Sequence, residues 1–162
     1  MKTGFKQILF PTDFSESAAL AVPLARKMAE AFDAEITCLH VAEDPIQEWI
    51  GSWSLVPDSS EPAAEGEPVA CRTAALHQLR TFVGQHFAGL KKKCRFEVVR
   101  GKPTEEIVRY AREHGFDLIV MGGHAYGEVA PGLHETTPDR VMRSSSTPVL
   151  AVSEPAPEFI RL

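Results

Sequence analysis

Short apolar runs alternate with stretches of helical periodicity along most of the chain. The apolar runs have the length and residue content of strands that are buried in a parallel sheet. They are a first run over residues 7–11, followed by runs at 34–41, 96–99, 117–121 and 149–152. Their order predicts five strands, each separated from the next by helical sequence.

The stretches between the runs repeat apolar residues at the three-to-four spacing of amphipathic helices. We predict helices over residues 15–32, 69–90 and 103–114, and a short fourth helix that starts at 138. Ser15 is the predicted N-cap of the first helix, and Gly115 the stop of the third. For the fourth helix we predict Thr137 as the N-cap and Pro138 as the first helical residue.

The alternation of strands and helices predicts a single α/β domain, with a doubly wound, mainly parallel five-stranded sheet and helices on both faces. The domain is predicted over residues 1–154, and residues 155–162 form a tail. A long acidic insertion at 43–67 follows the second strand. It contains Trp49 and Trp53, which we expect to pack on the flank of the domain, to cover a ligand crevice or to contact a partner.

The carboxyl ends of the predicted strands are the place to look for a ligand. In doubly wound sheets a ligand binds beyond those ends, where the strand order reverses. Here the ends carry Pro11, Thr12 and Asp13 on the first strand, Val41 on the second, and the loop that begins at Gly122 on the fourth. We therefore expect these residues to converge on one crevice.

The loop after the fourth strand is rich in glycine and leads into a helix. It contains Gly122, Gly123, Gly127 and Gly132 within eleven residues. A glycine loop that leaves a strand and feeds a helix N-terminus can hold anions, phosphates above all, with its backbone N–H groups. The sequence therefore predicts that a phosphate-bearing ligand is the class of molecule to consider.

The composition favours an acidic globular protein. The chain has 162 residues, is 44% hydrophobic, and carries a net charge of −5 with a pI near 5.7. This balance argues against nucleic-acid binding, because phosphate backbones require a basic surface. No run approaches the roughly 18 apolar residues of a membrane span. Because the first residues enter the first strand directly, we expect no signal peptide. We expect a cytoplasmic protein.

Three widely spaced cysteines fit a reducing compartment better than a disulfide framework. Cys38 is predicted to be a small core residue within the second strand, and Cys94 lies at the start of the third. Cys71 is the cysteine that we expect to be most accessible, because it opens a helix after a polar stretch.

Three segments of the chain resemble the universal stress protein family. They are QILFPTDFS at residues 7–15, GKPTEEI at 101–107, and the closing helix-to-strand segment at 143–152. The resemblance covers nearly the whole chain in matching order. It implies a Rossmann-like fold of the adenine nucleotide alpha hydrolase type and a regulatory role in stress responses.

The resemblance also implies a nucleotide site, in which Asp13 and Val41 contact adenine. ATP-binding members carry G-x-x-G, nine residues, and then G-[S/T] in the loop after the fourth strand. The matching positions here are Gly122, Ala125, Glu135 and Thr136, so two of the three motif glycines are absent. The implied site therefore comprises Pro11, Thr12, Asp13, Val41, Gly122, Ala125, Glu135 and Thr136.

Glu135 is the departure from the motif with the largest expected effect. A glutamate adds bulk and a negative charge where the family places a phosphate. At ~5 Å and an effective dielectric of ~20 the repulsion is about 3 kcal/mol. We therefore expect ATP, with Mg, to bind weakly or not at all, whereas AMP or adenosine is retained. The alternative is an interaction module of the same fold that binds no nucleotide.

Other chemistry is not favoured by the sequence. His124, Glu128, His134 and Glu135 are all metal-ligating residue types, but their spacing matches no metal motif and we expect a solvated loop. The chain lacks GxGxxG after the first strand, the P-loop pattern and a nucleophile elbow. We therefore expect no enzymatic activity.

Two kinds of partner are expected. Members of the family commonly pair their last strands edge to edge, and the resemblance therefore implies a homodimer through Val149–Val152. An exposed apolar edge also needs a cover on physical grounds. The regulatory role implies a further protein partner, which the sequence does not identify.

Overall fold

The computed structural model describes residues 4–43, 69–92, 94–123 and 136–153. Most of the insertion at 43–67 and the tail at 155–162 lie outside these residues. In chain order the elements are β1 (Gln7–Pro11), α1 (Glu16–Leu20), α2 (Val22–Phe32), β2 (Glu35–Ala42), α3 (Val69–His86), β3 (Arg95–Arg100), α4 (Pro103–Glu113), β4 (Leu118–Gly122), α5 (Thr137–Ser144) and β5 (Val149–Val152).

The five strands form one sheet in the order β3-β2-β1-β4-β5. Every neighbouring pair is parallel, which confirms the predicted doubly wound α/β fold. The chain leaves β1 towards one edge of the sheet and leaves β4 towards the other. The strand order therefore reverses between β1 and β4, which is where such sheets open a crevice.

The first predicted helix is divided into two at Ala21. Ser15 caps α1 as predicted, and its Oγ accepts a hydrogen bond of 3.1 Å from the N–H of Ala18. The prediction of one continuous helix over 15–32 was wrong, because Pro23 has no N–H and cannot continue the backbone bonding of α1. Pro23 instead lies in the first turn of α2, a position that tolerates it.

Helix α3 ends at His86, four residues before the predicted end. The guanidinium of Arg26, on α2, donates from Nη1 to the carbonyl oxygens of His86 at 2.9 Å and Ala88 at 2.8 Å. Arg26 thereby satisfies carbonyl groups that a longer helix would have bonded internally. Gly89 then turns the chain with a φ of +79°, a conformation that glycine adopts without a Cβ clash.

Side chains on the two faces of the sheet build two apolar layers. One layer packs α2 and α3 against the sheet around the fully buried Ile8 and Phe10. The other packs α4 and α5 around Leu9 and Leu39. The two layers hold the strands from both sides, so that the strand ends are fixed where the crevice opens.

Candidate functional site

A cavity of about 530 Å³ lies at the carboxyl ends of β1, β2 and β4. Its volume is within the range of small-molecule sites in proteins. Six of the eight residues predicted for the site line it, namely Pro11, Thr12, Asp13, Val41, Gly122 and Thr136. The other two, Ala125 and Glu135, lie outside the described residues. The crevice expected from the topology is therefore present and joins residues from four separate parts of the chain.

The turn between β1 and α1 presents Asp13 at the mouth of the crevice. Phe14 has a φ of 67°, which non-glycine residues rarely adopt. The side chains of Thr12 and Asp13 hold this turn. Oγ1 of Thr12 accepts a hydrogen bond of 3.0 Å from the N–H of Phe14. Oδ1 of Asp13 accepts two hydrogen bonds from Ser15, one of 3.0 Å from its N–H and one of 2.5 Å from its hydroxyl. Asp13 is therefore bonded to the capping residue rather than to the N–H groups of the helix itself.

The second carboxylate oxygen of Asp13 makes no hydrogen bond among the described residues, and the side chain is exposed. One oxygen thus fixes the turn, and the other is available to a ligand. The adenine contact that the family resemblance implies for Asp13 is therefore compatible with its local hydrogen bonds to Ser15.

His40 is a lining residue that the sequence reasoning missed. Its Nδ1 lies 2.9 Å from the carbonyl oxygen of Thr12, and because a carbonyl only accepts, Nδ1 carries the proton. The imidazole also stacks on Phe14, with ring centroids 4.4 Å apart. His40 thus contacts the residues on both sides of Asp13. Its place beside Val41 at the end of β2 was the available signal.

Gly122 brings the end of β4 against the backbone of α1. A Cβ built at this position would lie 1.8 Å from the carbonyl oxygen of Ser17 and 2.8 Å from Cα of Ala18. Real Cβ atoms do not approach backbone this closely, so the contact requires glycine. Close packing is therefore a sufficient reason for Gly122, separate from any approach of a phosphate.

Thr136, not Thr137, is the N-cap of α5, and Pro138 is therefore the second helical residue rather than the first. Thr136 forms a capping box with Asp139, a reciprocal pairing of side chain and backbone that fixes the helix start one residue earlier than predicted. Oδ2 of Asp139 accepts from the N–H of Thr136 at 3.1 Å and from its hydroxyl at 2.7 Å. Both donors of Thr136 are thus bonded within the helix.

Metal-ligating residues do not cluster in the part of the chain that the structure describes. No group of three or more His, Cys, Asp or Glu side chains within it is placed to hold an ion. The four loop residues considered as metal ligands, His124, Glu128, His134 and Glu135, lie outside that part.

Among the helices that the structure describes, none is long and apolar enough to cross a membrane.

A parallel doubly wound sheet with a crevice at its switch point defines a Rossmann-like α/β domain. Comparison with known proteins places the chain more narrowly. The model of the universal stress protein family matches residues 4–153. The chain therefore belongs to the universal stress protein family.

Individual relatives agree with this assignment. Universal stress protein MJ0577 of Methanocaldococcus jannaschii is 28% identical over 157 residues, which are 94% of this chain and 97% of that protein. A crystal structure of a universal stress protein in complex with cAMP superposes with a TM-score of 0.65 at 23% identity, covering 93% of this chain and 98% of that one. The structure of the Archaeoglobus fulgidus universal stress protein in complex with dAMP superposes with a TM-score of 0.61 at 14% identity, covering 92% of this chain and 98% of that one.

Proposed function

We propose that this stress-response protein binds an adenine nucleotide in the switch-point crevice. The observation that carries the proposal is the convergence of Asp13, Val41, Gly122 and Thr136 on one cavity of about 530 Å³. Structures of two proteins of the same fold contain cAMP and dAMP, both of which are adenine nucleotides with one phosphate. We propose binding without turnover of the nucleotide.

The adenosine end is best accommodated between β2 and α4. Leu39 and Val41 point to the same face of β2 and line the cavity together with Ile107 of α4. These apolar side chains offer a wall for a flat base. The free oxygen of Asp13 at the mouth of the crevice then supplies a polar contact that fixes the orientation of the base or the ribose.

The part of the crevice at the start of α5, where the phosphates of the nucleotide would lie, favours a monophosphate over a triphosphate. The N–H and hydroxyl of Thr136 donate to Asp139, and Pro138 has no N–H to offer. The helix start therefore has fewer free donors than an open N-terminus, and the carboxylate of Asp139 is already placed there. Glu135 adds a second negative charge at the motif position next to Thr136 in the sequence.

Calorimetric titration of the nucleotide-stripped protein with AMP and with ATP–Mg tests this preference. We expect AMP to bind more tightly than ATP–Mg. Glu135→Gly is expected to raise ATP affinity about tenfold or more, since even half of a ~3 kcal/mol repulsion corresponds to that factor. AMP affinity should change less, because fewer charges oppose the carboxylate.

Glu128→Gly is the matched control, because it removes the same charge from the same loop at a position where the nucleotide motif specifies no residue. It should leave the ratio of ATP to AMP affinity unchanged. An equal gain from both variants would assign the effect to net charge alone. Absence of AMP and ATP binding by all three proteins would support the interaction module and overturn the nucleotide proposal.

We propose further that the protein is a homodimer that pairs its β5 strands. The carbonyl oxygens of Pro148 and Val152 accept from the β4 side, from Ile119 and Gly123 at 2.9 and 2.8 Å. Because backbone groups alternate along a strand, the N–H of the intervening Ala151 points to the opposite edge. Along that edge β5 has no strand neighbour within the described residues.

Light scattering at tens of micromolar protein tests the dimer. We expect the mass of a dimer for the parent chain and the mass of a monomer for Ala151→Pro, which deletes an outward N–H and leaves the β4–β5 bonds intact. Ala151→Val retains the N–H and should remain dimeric. A monomeric parent chain, or a dimeric Ala151→Pro variant, would exclude pairing through this edge.

A further inference from the structure

The side chains of two cysteines from distant parts of the sequence are in contact between β2 and the start of β3. The Sγ atoms of Cys38 and Cys94 lie 3.6 Å apart, although 56 residues separate them in the chain. Cys38 lies in the middle of β2 and is fully buried. Cys94 lies immediately before β3, and 8% of its surface is exposed to solvent. Both are free thiols in the structure.

The hydrogen bonds of the pair make its two thiols unequal. The thiol of Cys94 lies 3.4 Å from the carbonyl oxygen of Arg95, to which it donates in its neutral form. Burial raises the pKa of the Cys38 thiol well above its usual value. The hydrogen bond from Cys38 lowers the pKa of Cys94, so that Cys94 ionises first. The thiolate is the reactive form of cysteine. Because Cys94 ionises first, it is the more nucleophilic of the two, and it is also the more exposed.

We propose that Cys38 and Cys94 form a redox-active dithiol that closes to a reversible disulfide when the protein meets a peroxide. The Cys94 thiolate attacks one peroxide oxygen and becomes a sulfenic acid, and the other oxygen leaves as hydroxide or water. The Cys38 sulfur then attacks the Cys94 sulfur. The sulfenic oxygen leaves as water with the Cys38 proton, and one peroxide has oxidised two thiols to one disulfide. A dithiol reductant reverses the change.

Closing the bond requires a small movement that the local structure permits. The sulfur atoms must approach from 3.6 Å to about 2.05 Å. Cys38 is held by strands on both sides of β2 through its pairing with Phe10 and Phe96. Cys94 precedes Arg95, the first residue paired in β3, so that its backbone can shift towards Cys38 without breaking the ladder.

The test uses the full chain carrying Cys71→Ser, in which Cys38 and Cys94 are the remaining cysteines. The folded protein is treated with hydrogen peroxide, then denatured and alkylated, and its intact mass and peptides are measured. We expect loss of both alkylatable thiols, a mass lower by two hydrogen atoms, a linked peptide pair containing Cys38 and Cys94, and full recovery with dithiothreitol. Retention of two free thiols would overturn the proposal, as would a link that forms only in urea.

Two further variants in the Cys71→Ser background test the assigned order of attack. With Cys38→Ser, which removes the second thiol but keeps a hydrogen-bond donor beside Cys94, Cys94 should react with peroxide and be trapped by dimedone as a sulfenic acid. With Cys94→Ser, Cys38 should stay reduced under the same treatment. Faster oxidation of Cys38 than of Cys94 in these variants would contradict the assigned roles. If one of the two variants does not fold, the other is still compared with the Cys71→Ser protein, in which both Cys38 and Cys94 are present.

Discussion

Gly122→Ala is expected to lower the free energy of unfolding by about 3 kcal/mol, the upper part of the range for overpacked sites. The added methyl group would lie 1.8 Å from the carbonyl oxygen of Ser17, and backbone atoms of α1 cannot rotate away as a side chain can. Relief requires α1 and the end of β4 to separate. Urea unfolding followed by circular dichroism measures the change, and the slope of the transition shows whether the native state remains compact.

Gly84→Ala provides the matched control for this substitution. Gly84 lies within α3, and a Cβ there would have no atom within 4 Å. Alanine in a helix is favoured over glycine by roughly 0.5–1 kcal/mol, so this variant should be more stable than the parent. Equal, small effects of the two substitutions would mean that α1 yields easily and that the close contact at Gly122 is not restrictive.

Asp13→Asn is expected to weaken AMP binding by about tenfold or more without a comparable loss of stability. Asparagine keeps an oxygen that can accept from the N–H and hydroxyl of Ser15, so the turn is retained. It replaces the free carboxylate oxygen with an N–H donor and removes the charge. Hydrogen bonds to charged groups contribute roughly 1.5–3 kcal/mol, which corresponds to a factor of about ten to a hundred in affinity. Calorimetric titration measures the affinity and thermal unfolding measures the stability.

Glu16→Gln is the control for the loss of charge. Glu16 is the next acidic residue in the chain, is exposed in the first turn of α1, and does not line the crevice. Its AMP affinity should match that of the parent. If Asp13→Asn bound AMP normally but lost stability, the carboxylate would be a turn residue only, and the adenine role implied by the family resemblance would not apply to this chain.

The fold was predictable because local sequence and global topology agree in this chain. The buried strands are short and apolar, and the helical stretches between them are long enough for the crossover connections of a parallel sheet. Val149–Val152 was predicted with the bounds that the structure has. The convergence of Asp13, Val41 and Gly122 followed from the same topology, since parallel strands end at one edge of the sheet.

Two of the missed boundaries had a local signal that the helical periodicity concealed, and the third depends on a contact between residues that are distant in the sequence. The break at Ala21 follows from Pro23, whose apolar neighbours made the helical periodicity look continuous. Thr136 and Thr137 are equivalent as caps by residue type, and the carboxylate of Asp139 decides between them. The early end of α3 depends on Arg26, which is 60 residues away from His86 in the chain.

Two contacts that were missed, one in the site and one outside it, depend on how neighbouring strands pair. His40 was overlooked because its partners, Thr12 and Phe14, lie in the turn that follows the neighbouring strand β1. Cys38 and Cys94 were each predicted as isolated core or strand residues, and only the pairing of β2 with β3 brings them together. The sequence placed His40 beside Val41 at the end of a predicted strand, but it contained no local signal for the contact of His40 with Thr12 or for the contact between the two cysteines.

The contact between Gly122 and Ser17 changes how the family's glycine motif should be interpreted. The first motif glycine is required by the fit of β4 against α1, and this requirement holds whether or not a nucleotide is bound. A variant of this chain that bound no ligand would still be constrained to keep that glycine. Gly122 is therefore evidence that the fold is intact, and its presence does not by itself indicate a bound phosphate.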